Sequence, residues 1–148
     1  MMRPSYDPNL FYYWHTIQTR FRDLDPLNHA NNAVFNTYFE EARIHFVNQV
    51  PELAHSFAEG KAFVLVKCTL EYLKPIHYPA TLLVGSSCLS IGNTSVEAFQ
   101  AIYDSETKNL LAVATTKGVW FDIKRNRPTA VPNIDNKEPL MFKLPADG

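Results

Sequence analysis

One segment of this chain carries the three- and four-residue period of an amphipathic helix, and most of the chain after it alternates like strands. The apolar side chains of that segment are Phe35, Tyr38, Phe39, Ala42 and Phe46. Asn31 or Asn32 is the expected N-cap, and Pro51 predicts the end of the helix. A helix of about 16 residues is marginal on its own in water, so its apolar face must lie against a sheet.

Segments whose apolar and polar residues alternate with a period of two are predicted to form that sheet. They predict a first strand before the helix, over 11–21, and four strands after it, over 62–73, 81–91, 94–103 and 110–123. A short helical turn is expected at 52–59, and Gly92-Asn93 is typical of a tight hairpin. The side chains expected on one face of the strand at 62–73 are Val64, Val66, Cys68, Leu70 and Tyr72. This order predicts an α+β fold in which about five antiparallel strands wrap around one central helix.

Length and charge narrow the class of protein. The 148 residues predict a single domain over 1–148, with a loose arm at 1–10 and a tail at 133–148. There are 14 basic and 15 acidic side chains, which argues against a nucleic-acid partner. No apolar run approaches the roughly 20 residues of a membrane span, and the first ten residues lack the apolar core of a signal peptide. We therefore expect a cytoplasmic protein without a membrane partner.

Several catalytic and metal-binding motifs are absent from the sequence. The five histidines show no ligand spacing, so no metal is expected. Gly60-Lys61 lacks the upstream glycine of a phosphate loop, and Gly85-Ser86-Ser87 lacks the elbow of a serine hydrolase. The two cysteines, Cys68 and Cys88, lie in apolar strands and are expected to be buried free thiols.

The chemistry is expected where the first strand joins the helix. Two carboxylates, one histidine and three asparagines lie within residues 23–32, directly before the helix. Backbone N–H groups at a helix N-terminus favour an anion or a developing oxyanion, and a neighbouring carboxylate suits a base or a nucleophile. Each residue taken alone also fits ordinary turn and capping chemistry, and Asp23 fits a turn or a salt bridge.

The segment from Arg20 to Arg43 resembles the hallmark of the hotdog-fold acyl-CoA thioesterases of the 4-hydroxybenzoyl-CoA thioesterase type. The matching residues are Asp23, Asp25, His29, Asn31, Asn32, Tyr38, Glu40, Glu41, Ala42 and Arg43. Similarity continues through Glu71 to Pro75, the hairpin from Ile91 to Ser95, and the segments Val119 to Asp122 and Arg127 to Pro132. It covers roughly residues 12–132. The resemblance implies a hotdog fold and hydrolysis of an acyl-CoA to a free acid and coenzyme A.

The resemblance also implies roles for individual residues. Asp25 would attack the thioester carbonyl or activate a water, while the backbone N–H of Asn32 polarises that carbonyl. His29 would orient the loop or contact substrate. The remaining residues expected at the substrate are Phe35, Tyr38, Ser95 and Lys74, of which the two aromatic ones face the acyl chamber or pack the helix. Coenzyme A is part of the substrate, so no cofactor is expected. Relatives form dimers with sites at the interface, or tetramers made of two dimers.

The chain departs from the family pattern in places, and two alternative functions stay open. His77-Tyr78-Pro79 occupies the turn where relatives often carry Gly-Asp, and residues 92–95 lack the basic side chains that some relatives place at that hairpin. Asn28 stands where the family usually has glycine, and asparagine is the next most tolerant residue if that position needs a positive φ. The basic residues expected to hold the nucleotide phosphates are only candidates: Lys74, Lys117, Lys124, Arg125 and Arg127. The run from Asp23 to His29 also comes close to the motif of hotdog hydratases and dehydratases, although its histidine lies one residue too far along. The second alternative is a non-catalytic acyl-binding module.

Overall fold

The computed structural model describes residues 2–143. Strand β1 spans Tyr13–Gln18 and is followed by a 3-10 turn at Phe21–Asp23. Two helices come next, α1 at Asn32–Gln49 and α2 at Pro51–Ala58. The remaining strands are β2 at Lys61–Tyr72, β3 at Thr81–Ile91, β4 at Ser95–Asp104, β5 at Leu110–Asp122 and a short β6 at Arg127–Pro128. A second 3-10 turn occupies Glu138–Leu140.

The strands form one antiparallel sheet in the order β1-β3-β4-β5-β2, with β6 added beside β5. Strands β1 and β2, which flank the helices in sequence, therefore lie at opposite edges. The sheet curls around α1, which confirms the predicted α+β hotdog architecture. Among residues 2–143, no helix is long and apolar enough to cross a membrane.

Helix α1 buries the predicted apolar face. Phe35, Tyr38 and Phe39 are each at most 3% exposed and pack against the inner face of β3, β4 and β5. Val50 ends the helix in an extended conformation, and Pro51 starts α2, since proline is tolerated in the first helical turn. The predicted short turn at 52–59 is thus a complete second helix.

Strand β2 departs from the predicted alternation. Its pairing with β5 slips between Leu65 and Lys67, so one extra residue, Val66, bulges out. Phe63 on one side of the bulge and Leu70 on the other both pack inward, while Val66 is 70% exposed. The face predicted from Val64 to Tyr72 is therefore wrong before the bulge, because a bulge shifts the period by one residue.

The prediction that both cysteines are buried is confirmed for Cys88 and wrong for Cys68. Cys88 of β3 is buried, and burial raises the pKa of its thiol to about 12. Cys68 is exposed, because β2 is an edge strand that, within residues 2–143, pairs with β5 alone. An apolar strand pattern does not distinguish an edge strand from a central one.

Candidate active site

The loop before α1 is closed by its own backbone. Leu24 and Ala30 form an isolated antiparallel bridge, and Asp25 N–H donates to the His29 carbonyl at 2.8 Å. Asn28 donates to the Asp25 carbonyl at 3.0 Å and has a φ of +63°. The left-handed conformation explains why glycine is usual here, and asparagine tolerates it better than most residues.

This closed loop orients the Asp25 carboxylate. Oδ1 accepts hydrogen bonds from the backbone N–H of Leu27 at 2.9 Å and of His29 at 3.3 Å. Among the residues that the structure describes, no donor contacts Oδ2. The side chain is half-buried, so one carboxylate oxygen is anchored and the other is left for a ligand.

Asp23, two residues earlier, lies in a different environment. It is 3% exposed and accepts hydrogen bonds from the Tyr38 hydroxyl at 2.8 Å, from the Arg20 backbone at 3.0 Å and from the Arg20 guanidinium at 3.1 Å. Burial by itself raises the pKa of Asp23, but these hydrogen bonds more than offset it and hold the pKa below its ordinary value. Asp23 therefore anchors the loop to α1, and its oxygens are already engaged.

The start of α1 faces the same end of the molecule. Asn31 is the N-cap, with φ −60° and ψ 138°, and its side chain accepts from the Ala33 N–H at 2.9 Å. Its backbone N–H donates to the Asp23 carbonyl at 2.9 Å, which ties the helix start to the loop. Asn32 is the first helical residue, so its N–H has no acceptor within the helix. This N–H is a preorganised donor beside the Asp25 loop.

His29 contacts a second segment that follows β2. It forms an isolated bridge with His77, and the two imidazole rings meet edge to face with centroids 5.0 Å apart. One residue on, the Ala30 N–H donates to the Ile76 carbonyl at 2.8 Å. Lys74 is exposed in this same segment, so it lies at the same end of the folded molecule as Asp25.

The other expected substrate residues are not brought to this loop. Phe35 and Tyr38 are 1% and 3% exposed within the main core, so in one chain they pack the helix. Ser95 is exposed in the β3–β4 hairpin, which follows the last residue of β3. The first residues of β3 lie beside the segment that leads into the Asp25 loop, since the Thr19 N–H donates to the Ala80 carbonyl. The eleven residues of β3 separate Ser95 from that segment by roughly 30 Å. The assigned roles of these residues stay predictions.

Tyr72 at the end of β2 belongs to this site and was not singled out in the sequence. Its hydroxyl donates to the Asn32 carbonyl at 3.3 Å, and its ring meets Phe35 edge to face at 5.0 Å. It lies 40 residues from Asn32 along the chain, so only the tertiary fold shows the contact.

Side chains of the types that ligate metals are scattered over the molecule. Within residues 2–143, no three side chains of the types His, Cys, Asp and Glu gather closely enough to hold a metal ion.

Comparison with known proteins identifies relatives of this chain. A family model described as the thioesterase-like superfamily matches residues 19–137. The acyl-acyl carrier protein thioesterase ATL2, chloroplastic, of Arabidopsis thaliana is 26% identical over 123 residues, which are 81% of this chain. The chain spans only 65% of the length of that curated relative.

Solved structures show the same likeness. A thioesterase from Thermus thermophilus, in complex with coenzyme A and Zn, is 29% identical with a TM-score of 0.72, covering 84% of this chain and 89% of that one. The probable thioesterase YbaW from Escherichia coli is 25% identical with a TM-score of 0.74, covering 88% of this chain and 99% of that one.

Proposed function

The chain belongs to the thioesterase-like superfamily, and we propose that it hydrolyses the thioester of an acyl-CoA to a free acid and coenzyme A. The enzyme class expected from the sequence, a thioester hydrolase, agrees with the family and with the names of its relatives. The observation that carries the proposal is the Asp25 carboxylate, held through Oδ1 by the loop backbone while Oδ2 stays without a donor among the described residues.

Asp25 acts on the thioester carbonyl through its free oxygen. The carboxylate either attacks the carbonyl carbon, forming an anhydride that a water then cleaves to the free acid and the original carboxylate, or takes a proton from a water that attacks instead and later releases that proton to the departing thiolate or to solvent. In both routes the C–S bond breaks and the thiolate of coenzyme A leaves with the electron pair. A thiolate is a good leaving group, so a strong general acid is not needed.

The Asn32 N–H stabilises the oxyanion that forms during this attack. It stands at the positive end of the α1 dipole, beside the loop that holds Asp25. A donor that is already oriented strengthens its bond as charge develops on the carbonyl oxygen, which lowers the barrier. Tyr72 and Asn31 fix the backbone on either side of this donor.

A thiol-release assay with acyl-CoA and acyl-carrier-protein thioesters tests the proposal. Asp25→Asn keeps the size of the side chain and should lower kcat at least about 100-fold, because the anionic oxygen is lost. Stability should change little, since an amide oxygen still accepts the two loop N–H groups. Near-normal turnover in this variant would remove Asp25 from the mechanism. Hydration of an enoyl-CoA, or stoichiometric binding without thiol release, would favour the two alternatives.

Replacement of Asn32 by proline tests the oxyanion donor separately. Proline deletes the N–H but is well tolerated at the first helical position, and Asn31 already has the extended backbone that a following proline requires. We expect Asn32→Pro to fold normally and to lose about 10²–10³-fold in kcat. Asn32→Ala is the matched control, because it removes the side chain, keeps the N–H and should retain activity.

We further infer that the working unit is a dimer formed through β2. This edge strand has twelve residues, and within the described part of the chain it has a pairing partner on one side only; it exposes Val66 at 70% and Leu65 at 44%. An exposed apolar edge strand readily pairs with another chain. A second copy of β2 pairs antiparallel there and extends the sheet; association of two dimers into a tetramer remains an additional prediction.

A further inference from the structure

An apolar cavity of about 380 Å³ lies between the second half of α1, α2 and the inner face of the sheet. Its wall includes Cys88 of β3, Ala98 of β4 and Trp120 of β5, and Ile134 and Leu140 of the C-terminal segment cover one side. The lining is apolar apart from three residues of α1, which are Glu40, Arg43 and Asn48. The Trp120 indole N–H is already satisfied by the Ser56 hydroxyl at 2.8 Å.

The cavity opens to solvent beside the exposed edge of the sheet. Three of its lining side chains are also substantially exposed: Ile44 of α1 at 50%, Phe57 of α2 at 45% and Leu65 of β2 at 44%. These three residues surround the mouth. Water gains few hydrogen bonds inside an apolar cavity, so the occupant that fits is hydrocarbon.

The size of the cavity suits an aliphatic chain. If a methylene takes about the 30 Å³ that a water molecule occupies in the liquid, the cavity holds roughly a dozen carbon atoms. Among the residues that the structure describes, the lining side chains supplied by the sheet, α2 and the C-terminal segment are apolar, so those walls offer no hydrogen-bond partner to a hydroxylated aromatic ring. Both properties favour a saturated acyl chain of medium length.

Within one chain, the start of α1 and the Asp25 loop lie far from the mouth of this cavity. From Asn32, beside the Asp25 loop, to Ile44 at the mouth is twelve residues of α1, or roughly 18 Å, which is too long a path for the acyl chain within one protomer. Antiparallel pairing of two β2 strands brings the Tyr72 end of one chain to the Lys61 end of the other. Tyr72 contacts the start of α1, and Leu65 borders the mouth.

We propose that the cavity of one protomer receives the acyl chain of the thioester held at Asp25 of the other, and that its depth selects aliphatic chains of about ten to twelve carbons. This inference rests on the proposed thioesterase function and on the dimer through β2. Each methylene that enters the cavity leaves water and should raise kcat/KM about fourfold until the cavity is full.

Ala98→Leu tests the cavity directly. Ala98 is 9% exposed and faces the open space, so leucine adds three carbon atoms where the end of the acyl chain would lie. The ratio of kcat/KM for dodecanoyl-CoA to that for butyryl-CoA should fall about 50-fold, the equivalent of three methylenes. Ala58→Leu adds the same atoms on the exposed end of α2, outside the cavity lining, and should leave the ratio unchanged. An unchanged ratio in folded Ala98→Leu overturns the proposal while leaving the thioesterase function intact.

Dodecanoate binding separates the failure of this inference from failure of the proposed function. Trp120 lines the cavity, so a titration with dodecanoate should change its fluorescence saturably in the native chain and much less in Ala98→Leu. If no thioester is hydrolysed, the proposed function fails, and a saturable change that Ala98→Leu abolishes still supports an alkyl-chain cavity. If dodecanoate leaves the fluorescence of the native chain unchanged, the alkyl-chain cavity is refuted, whether or not the protein hydrolyses thioesters.

Mixed dimers test whether Asp25 and the cavity come from different chains. Asp25→Asn and Ala98→Leu are co-expressed with different tags and purified through both tags. In the mixed dimer, one site combines the intact Asp25 of one chain with the open cavity of the other. Dodecanoyl-CoA hydrolysis near half of the native rate, which neither parent dimer shows, supports the proposal. The absence of rescue in a purified mixed dimer refutes it.

Discussion

The buried hydrogen bond between Tyr38 and Asp23 makes a quantitative prediction. The Tyr38 hydroxyl donates to Oδ2 of Asp23 at 2.8 Å, and both side chains are 3% exposed. A hydrogen bond to a charged group contributes about 1.5–3 kcal/mol. Tyr38→Phe should therefore lower the free energy of unfolding by about that amount at pH 7, and the melting temperature by roughly 3–12 °C.

The free energy of unfolding that Tyr38→Phe loses should decrease as the pH is lowered. Because the folded-state pKa of Asp23 lies below its ordinary value, the carboxylate adds stability above the unfolded-state pKa of about 3.9, and this stability disappears as the pH falls through the folded-state pKa. The difference between the native chain and Tyr38→Phe should be constant from pH 7 to about pH 5. It should shrink at lower pH, where Asp23 is protonated.

Tyr103→Phe is the matched control. The Tyr103 hydroxyl is equally buried and also donates at 2.8 Å, but to the neutral carbonyl of Pro4. We expect a smaller loss of about 0.5–1.5 kcal/mol with no change across the acid range. Urea unfolding followed by circular dichroism, at one fixed protein concentration, measures all three chains. A Tyr38→Phe loss below about 0.5 kcal/mol, or one that is the same at pH 7 and pH 3, would refute the anchoring role of Asp23.

Three further predictions concern the backbone and the β2 edge. Asn28→Val should cost about 1–2 kcal/mol in urea unfolding, because the φ of +63° disfavours β-branched residues, whereas Asn28→Gly should cost nothing. Gly118→Ala places a Cβ 2.4 Å from the Phe63 ring and should lower stability by about 1–3 kcal/mol, so an unchanged melting temperature would contradict the packing. Val66→Glu should yield monomers in light scattering, and a persistent dimer would show that β2 is not the interface.

The sequence predicted the elements of this fold well because each has a strong local signal. The apolar face of α1, the hairpin at Gly92-Asn93 and the closed polar loop before α1 depend on neighbours within a few residues. The predicted first strand was too long at both ends, because Phe11 packs into a third cluster with Phe99 and Phe21 begins a 3-10 turn. That cluster joins segments almost 90 residues apart in the sequence, so no local sequence pattern predicts the contact.

The candidate site was predictable only in its contiguous part. The loop residues were found together, and the separate environments of Asp23 and Asp25 follow from which of them meets Tyr38. Tyr72 was missed because its contact with Asn32 depends on where the end of β2 falls. The bulge at Val66 was missed because an apolar strand has the same composition with or without one extra residue.

The strand order has a consequence for synthesis of the chain. The first 72 residues contain β1, both helices and β2, yet these two strands do not pair with each other. Strand β1 can pair only after β3 has been synthesised, and β2 can pair only after β5, which ends at Asp122. While the ribosome makes the second half of the protein, the apolar side of α1 has no sheet to cover it. Holdase chaperones are therefore expected to bind the nascent first half, and release to follow only after β5 has emerged.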